Sequence, residues 1–431
     1  MLVNSLFKLS FIFLSVYCFM SSSCKKNGDN INPQIFVESP LINSSFTLPN
    51  TIHVNGYCED NNKLQKVEIN IVNQNLTPIS TKISTELDSN IFEFDEFFYL
   101  DDLYIESGRY FISVKAYDKQ NNISSKYISI YLTEIEKVLL GLYFIESQNE
   151  NTDIQFIDSN NNVSFQNSLS GNIQLSYINS KHQYLFIATD QNAFSYNLQN
   201  FNEIWSVYPF EVPYPFFTSL FCDDSEDFLY LVFGDGRIHS YNKYGQIVNS
   251  IYSNPQEWFG EILVENNFVV SEVFSNSLNQ FISVYYSNSG IENHRVQING
   301  EVGKILKYSG DLFIVAINHQ NSGDIFFYNI NNNNIWLEIE IPVSKIYDAL
   351  IIDQLLYLAT DIGVFSYHIV NKNLNLINDI KPVYELMVEK LVGYLYLNDG
   401  KNIYRSINGI NNDIIYSTND SISNMMLLYN K

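Results

Sequence analysis

The sequence predicts an all-β protein, a β-sandwich followed by a seven-bladed β-propeller closed by the C-terminal strand. Three observations predict it. The stretches "YLFIATDQNAFSYN" (184–197) and "LLYLATDIGVFSYH" (355–368) are nearly one phrase written twice, 171 residues apart. Apolar strand cores start at 139, 184, 228, 268, 312, 355 and 394, so successive starts differ by 45, 44, 40, 44, 43 and 39 residues. Lastly, the first core lacks a leading strand, while the chain ends on "SNMMLLYNK" (423–431), a leading strand with no blade to lead. Composition agrees with this reading: 31 Tyr and 31 Phe suit pleated, half-buried surfaces. Asn runs such as "NNNN" (331–334) suit the turns between strands.

The N-terminus comes first. Lys8 precedes the apolar run "LSFIFLSVYCFM" (9–20), which is short of the roughly 20 residues that a bilayer-spanning helix needs. A positive start, an apolar middle and then small residues form the layout of a cleaved export signal over 1–23. The "SSSC" that follows resembles a bacterial lipobox, with Ser21 standing where that motif usually carries Leu. The resemblance implies lipidation at Cys24 and attachment to the outer membrane, with the side of that membrane left open. Residues 24–34 read as a polar tether. Cys58 and Cys222 fall in separate predicted domains, so no disulfide framework is expected.

Residues 35–134 alternate in short strands: "QIFVES", "TIHVNGYCED", "LQKVEINIV", "IFEFDEFFYL", "GRYFISVKAYD" and "YISIYLTE". Turn residues separate them at sandwich spacing. The strand-and-turn "RYFISVKAYDKQNN" resembles that of bacterial Ig-like and cadherin-like modules, which implies an Ig-like sandwich acting as a spacer. Glu59, Asp60 and Asp118 are the candidates for calcium in such a module. Calcium wants six or more oxygens, and no Asp-x-Asp run supplies them.

Residues 137–431 carry the repeats. Each core continues through a turn into a second strand ("AFSYNL", "RIHSYN", "VFSYHI") and then a third ("EIWSVY", "IVNSIY"). Leading strands precede the cores, as in "SLFCDD" (219–224), "EILVEN" (261–266) and "DALIID" (348–353). Four short antiparallel strands per roughly 40 residues mark a propeller blade. Asp190 and Asp361 read as turn-capping residues. The repeats resemble the PQQ-like and YVTN-like blades of exported bacterial propellers of Bacteroidetes type, with Trp205 and Trp336 where PQQ-type repeats place a docking Trp. Quinoprotein enzymes also need a calcium site and a cofactor-stacking Trp, and neither is located here.

A net charge of −23 disfavours nucleic-acid backbones and anionic membrane surfaces. Of the six histidines, only His319 reads as reaching a ligand face. No nucleophile elbow, HExxH or phosphate-cradling loop is present. No catalytic, metal or cofactor residues are therefore assigned. The leading expectation is a membrane-anchored binding or scaffolding lipoprotein whose propeller face takes a protein or glycan partner. A propeller enzyme (a polysaccharide lyase or hydrolase, or a quinoprotein-like one) and a subunit of an envelope secretion or motility complex remain as alternatives. Two linkers, "YPFEVPYPFF" (208–217) and "YSNPQEWFG" (252–260), bring Tyr208, Phe210, Tyr214, Phe216, Trp258 and Phe259 together with stiffening prolines. These rings either form a partner-binding face or plug the top of the axial channel.

Overall fold

The structure, a computed structural model, describes residues 30–148, 150–208, 215–222, 227–407, 409 and 411–431. Every regular element among them is a β-strand. The chain divides into two compact units between Glu136 and Lys137.

The N-terminal unit is a six-stranded hydrogen-bonded set around one core. Ile52, Val54, Val67, Ile69, Phe94, Ile112, Val114 and Ile130 pack together there with almost no exposure. The two strands read from "TIHVNGYCED" and "LQKVEINIV" are one, Asn50–Val72. It pairs antiparallel with Ile83–Leu100, and the register jumps from Glu59↔Ile91 to Leu64↔Ser89. The bulged residues 60–63 thus let a single strand turn and serve both halves of the set. Asp118 accepts hydrogen bonds from Asn122 N at 2.7 Å and Asn122 Nδ2 at 2.6 Å, so it holds its own turn. Cys58 and Cys222 are buried and form no disulfide, and burial pushes the Cys58 thiol up to about 12.

The second unit is seven four-stranded antiparallel sheets. Six run in simple sequence order. The seventh is made from both ends of the unit, since Ser421–Tyr429 pairs antiparallel with Leu139–Gln148. Numbering that composite blade 1, blades 2 to 7 begin with the inner strands Ile173–Asn179, Phe217–Cys222, Glu257–Glu265, Glu301–Ser309, Ile346–Ile352 and Glu385–Val388. Each inner strand touches the inner strands of both neighbours, and Ser421–Tyr429 touches those of blades 2 and 7. The ring is closed.

The closure carries its own clasp. Val138 N donates to Asn430 Oδ1 at 2.9 Å, and Asn430 N donates to Val138 O at 3.1 Å. Met425, Met426 and Leu428 are buried against Tyr143, Phe144 and Ile145.

The repeated phrase that betrays the blades is structural. Asp190 accepts from Asn172 N and Asn172 Nδ2, and its own amide donates back to Asn172 O. Asp361 makes the equivalent clasp with Ser344 and Lys345. Each aspartate fixes the entry to its blade's inner strand, whereas the sequence reading had it capping its own turn. Trp205 docks as expected between blades, stacked on Tyr241 of blade 3 at 5.3 Å and 14°. Gly245 leaves room for it, since a Cβ there would lie 2.4 Å from the indole, and its φ of +75° suits glycine in any case. Trp336 does less. It is partly exposed and rests on Phe327 of its own blade.

Deleting residues 421–431 should cost several kcal/mol, comparable with the stability of the whole domain, because it bares the edge of Leu139–Gln148 and its core layer. A truncated protein that melts cooperatively at the parent temperature would contradict the closure.

Candidate axial ligand site

A closed ring of inner strands surrounds an axis, and along this axis lies a channel enclosing about 770 Å³. Blades 1, 2, 3 and 7 supply most of its wall. The side chains there are set by a shared local feature. In blades 2, 3, 5, 6 and 1 the inner strand carries a one-residue register shift: after Ile173, Phe217, Val302, Ile346 and Ile422 respectively. Blade 4 has the same one-residue shift, spread between Phe259↔Val273 and Ile262↔Ser271. A bulge interrupts the strict alternation of faces.

The residues at or just after these shifts form a polar belt. Asn424 donates to Ser176 Oγ at 2.7 Å, tying blade 1 to blade 2. Ser219 Oγ donates to Glu261 Oε2 at 3.1 Å, from blade 3 to blade 4. Lys304 Nζ of blade 5 lies 3.5 Å from Glu261 Oε1 and 3.5 Å from Asp348 Oδ1 of blade 6. Asp348 Oδ2 accepts from Leu386 N of blade 7 at 3.0 Å. Glu385 opens that same strand, and its Oε2 accepts from Asn398 Nδ2 at 3.4 Å.

Three carboxylates here face one ammonium. The carboxylates of Glu261 and Asp348 hold Lys304 firmly in its charged form. One carboxylate is then in excess, and it is Glu385 that yields. Burial, reinforced by the negative charge of Asp348, pushes Glu385 up to about 8. Glu272, on the second strand of blade 4, is a separate buried acid. It accepts from Val302 N at 2.9 Å and so fastens the start of the blade 5 inner strand, and burial pushes it up to about 8. Gly260 makes space for it, because a Cβ there would fall 2.3 Å from Glu272 Oε2.

Beyond the belt the channel wall turns apolar and sulfur-rich, with Leu175, Leu220, Met387, Met426 and Leu427. Lys137, Lys390 and Tyr429 line the channel at the far ends of the inner strands. Lys137 Nζ sits 4.7 Å from the Tyr429 ring centroid, and the Tyr429 hydroxyl accepts from Lys390 N at 3.3 Å. One cavity thus offers hydrogen-bonding and charged groups at one end, aliphatic surface along its length and ammonium groups at the other end.

The four described members of the aromatic set singled out from sequence are divided between surface and core. Phe210 and Tyr214 lie outside the described residues, as does Cys24. Tyr208 is exposed, and Phe216 is half-buried against the apolar cluster of blades 2 and 3. Trp258 and Phe259 are not in a linker, because the blade 4 inner strand begins at Glu257. Trp258 stacks on Phe274 at 5.8 Å and 15°. Phe259 is wholly buried and meets Tyr285 edge-on at 5.4 Å, so it belongs to the core and offers nothing to a partner.

His319, the one histidine able by sequence to reach a ligand face but read foremost as a surface residue, has its Nε2 3.0 Å from Asp324 Oδ2 in the hairpin that joins two strands of blade 5. His239 Nδ1 lies 2.7 Å from Ser250 Oγ, with Phe233, Tyr241 and Tyr252 packed edge-on around the ring, and burial holds the imidazole below the usual histidine range. Among the described residues, no group of three or more His, Cys, Asp or Glu side chains is placed to hold a metal ion. The belt itself went unread in the sequence. Its signal was present: a polar or charged residue recurs ahead of apolar pairs in the leading strands, as in "EILV", "KILK", "DALI" and "ELMV".

No protein-family model and no curated protein matches the chain. Among solved structures, it is similar to a computationally designed protein, Ika8, with 12% identity and a TM-score of 0.48, over 67% of this chain and 91% of that one. It is also similar to the Dos1 propeller, with 11% identity and a TM-score of 0.47, over 66% of this chain and 88% of the other.

The raised acids give the stability a pH dependence whose sign is fixed. A carboxyl that binds its proton more tightly folded than unfolded stabilises the fold below its unfolded value, and this stabilisation is lost as pH rises towards about 8. Glu272→Gln should therefore match the parent at pH 5 and exceed it by more than about 1 kcal/mol at pH 8.5 in urea unfolding. A difference that is the same at both pH values would contradict the assignment.

Proposed function

We propose that this chain is a binding protein of the cell envelope, anchored to the outer membrane through Cys24, whose propeller captures a partner at the axial channel. The observation that carries the reading is the channel. Its volume of about 770 Å³ lies within the range of ligand pockets, and such pockets combine apolar walls with a few fixed polar groups. The polar groups here are held by neighbouring blades rather than by flexible loops, so a bound molecule would meet a preorganised wall. The partner is a protein segment or a glycan presented at the end of the channel bearing Lys137 and Lys390. The N-terminal unit, read as an Ig-like module, serves as the spacer. Anchoring rests on the sequence of residues 1–26.

The anchor is tested by Cys24→Ala, which should move the protein from the detergent phase to the aqueous phase in a phase-partition assay. Retention in the detergent phase would overturn it.

Capture at the channel is tested with a photo-crosslinking residue at Leu391, which lines the channel and is half-exposed. In intact envelopes it should give one discrete adduct, reduced at least fivefold by Lys137→Glu together with Lys390→Glu. An adduct of unchanged yield in that variant, at unchanged melting temperature, would place the partner elsewhere.

A further inference from the structure

We propose that the free edge of strand Ile83–Leu100, in the N-terminal unit, accepts an extended basic segment of another protein by strand addition. Of the 18 residues in this strand, the backbone hydrogen bonds all run to one side, to Asn50–Val72. Among the described residues, no other backbone group bonds to residues 83–100. An edge of this length displays a row of unpaired amides and carbonyls, and natural proteins normally blunt one with proline, lysine, a bulge or a cover. This strand has no proline, no lysine and no arginine. The larger bulge lies on its partner strand, at residues 60–63; a second shift, between Leu64↔Ser89 and Lys66↔Glu86, puts one extra residue on this strand at 87–88, so the uninterrupted open edge is 91–100.

What the strand carries instead is acid and aromatic surface. Glu86, Asp88, Glu93, Asp95 and Glu96 are its charged residues. Asp88 is engaged by Lys63 and Lys119, and Asp95 by His53. Among the described residues, Glu86, Glu93 and Glu96 have no cation within 4.0 Å. On the outward face Ile91, Phe97 and Tyr99 are 57%, 62% and 63% exposed. His53 extends that face by stacking on Phe97 at 4.6 Å and 12°.

Charge selects the occupant. A second copy of this edge would set carboxylates opposite carboxylates, and directly opposed like charges destabilise a strand pair. A strand with lysine or arginine at alternate positions would instead meet Glu93 and Asp95 on one face, while its backbone satisfied the open edge. Its basic stems would also lie against Phe97 and Tyr99, where a cation over an aromatic ring is favourable. Strand addition supplies affinity through main-chain hydrogen bonds and specificity through alternate side chains. The proposal concerns a different surface from the axial channel and stands or falls apart from it.

The test uses the full-length protein and three capped synthetic nonapeptides. One alternates Lys and Val, one alternates Glu and Val, and one keeps every lysine but replaces two valines with proline. The readout is amide hydrogen exchange across residues 91–99. The Lys/Val peptide should slow exchange there at least tenfold, and the other two should not. Glu93→Lys with Asp95→Lys should abolish the effect of the Lys/Val peptide, with Glu93→Gln and Asp95→Asn as the fallback if that variant does not fold. Absence of protection by the Lys/Val peptide would overturn the proposal. Equal protection by the proline peptide would overturn it too, since charge alone would then suffice, and so would equal protection by the acidic peptide.

Discussion

An open β-sheet ends in unpaired backbone groups, and the propeller depends on removing them by closing the ring. The first blade-forming segment, Leu139–Gln148, has no inner strand until the last residues of the chain arrive. Everything on the axis inherits this condition. Asn424 of the polar belt and the Met426–Leu427 wall of the channel come from the closing strand itself. The N-terminal unit meets the same constraint and leaves it unresolved, because Ile83–Leu100 keeps one edge open.

Much of the architecture was legible because a propeller repeats its solution. Cores such as "YLFIAT" and "LLYLAT" recur since each blade must present an apolar second strand to both neighbours, and Trp205 was recognisable by its place in the strand that ends its repeat. Strand starts were less legible. The leading strands read from Ser219, Glu261 and Asp348 begin at Phe217, Glu257 and Ile346. That offset is what moved Trp258 and Phe259 out of an imagined loop and into the strand. A bulge resets the alternation within the inner strands of blades 1 to 6, so period-two reasoning cannot assign faces across it. In the N-terminal unit the polar residues 60–63 read as a turn, whereas they are a bulge in one continuous strand.

The belt was not legible in the sequence because its groups lie on inner strands of different blades, far apart in the chain. Its electrostatics follow from placing three carboxylates and one ammonium in a narrow channel. Lys304 neutralises part of the charge by bridging Glu261 and Asp348, and Glu385 holds its proton to about 8. Function was the least legible layer, since one propeller scaffold serves unrelated activities and only the residues of a site can separate them.

The most direct measurement of the ring is amide hydrogen exchange of the intact protein, comparing the closing strand with interior blades. Closure by residues 421–429 predicts that their amides exchange as slowly as those of 184–189 and 355–360, opening only when the propeller unfolds as a whole. Exchange of 421–429 orders of magnitude faster, with 184–189 and 355–360 still protected, would mean that the ring stands without its last strand, and the account of the axis built on that strand would fail.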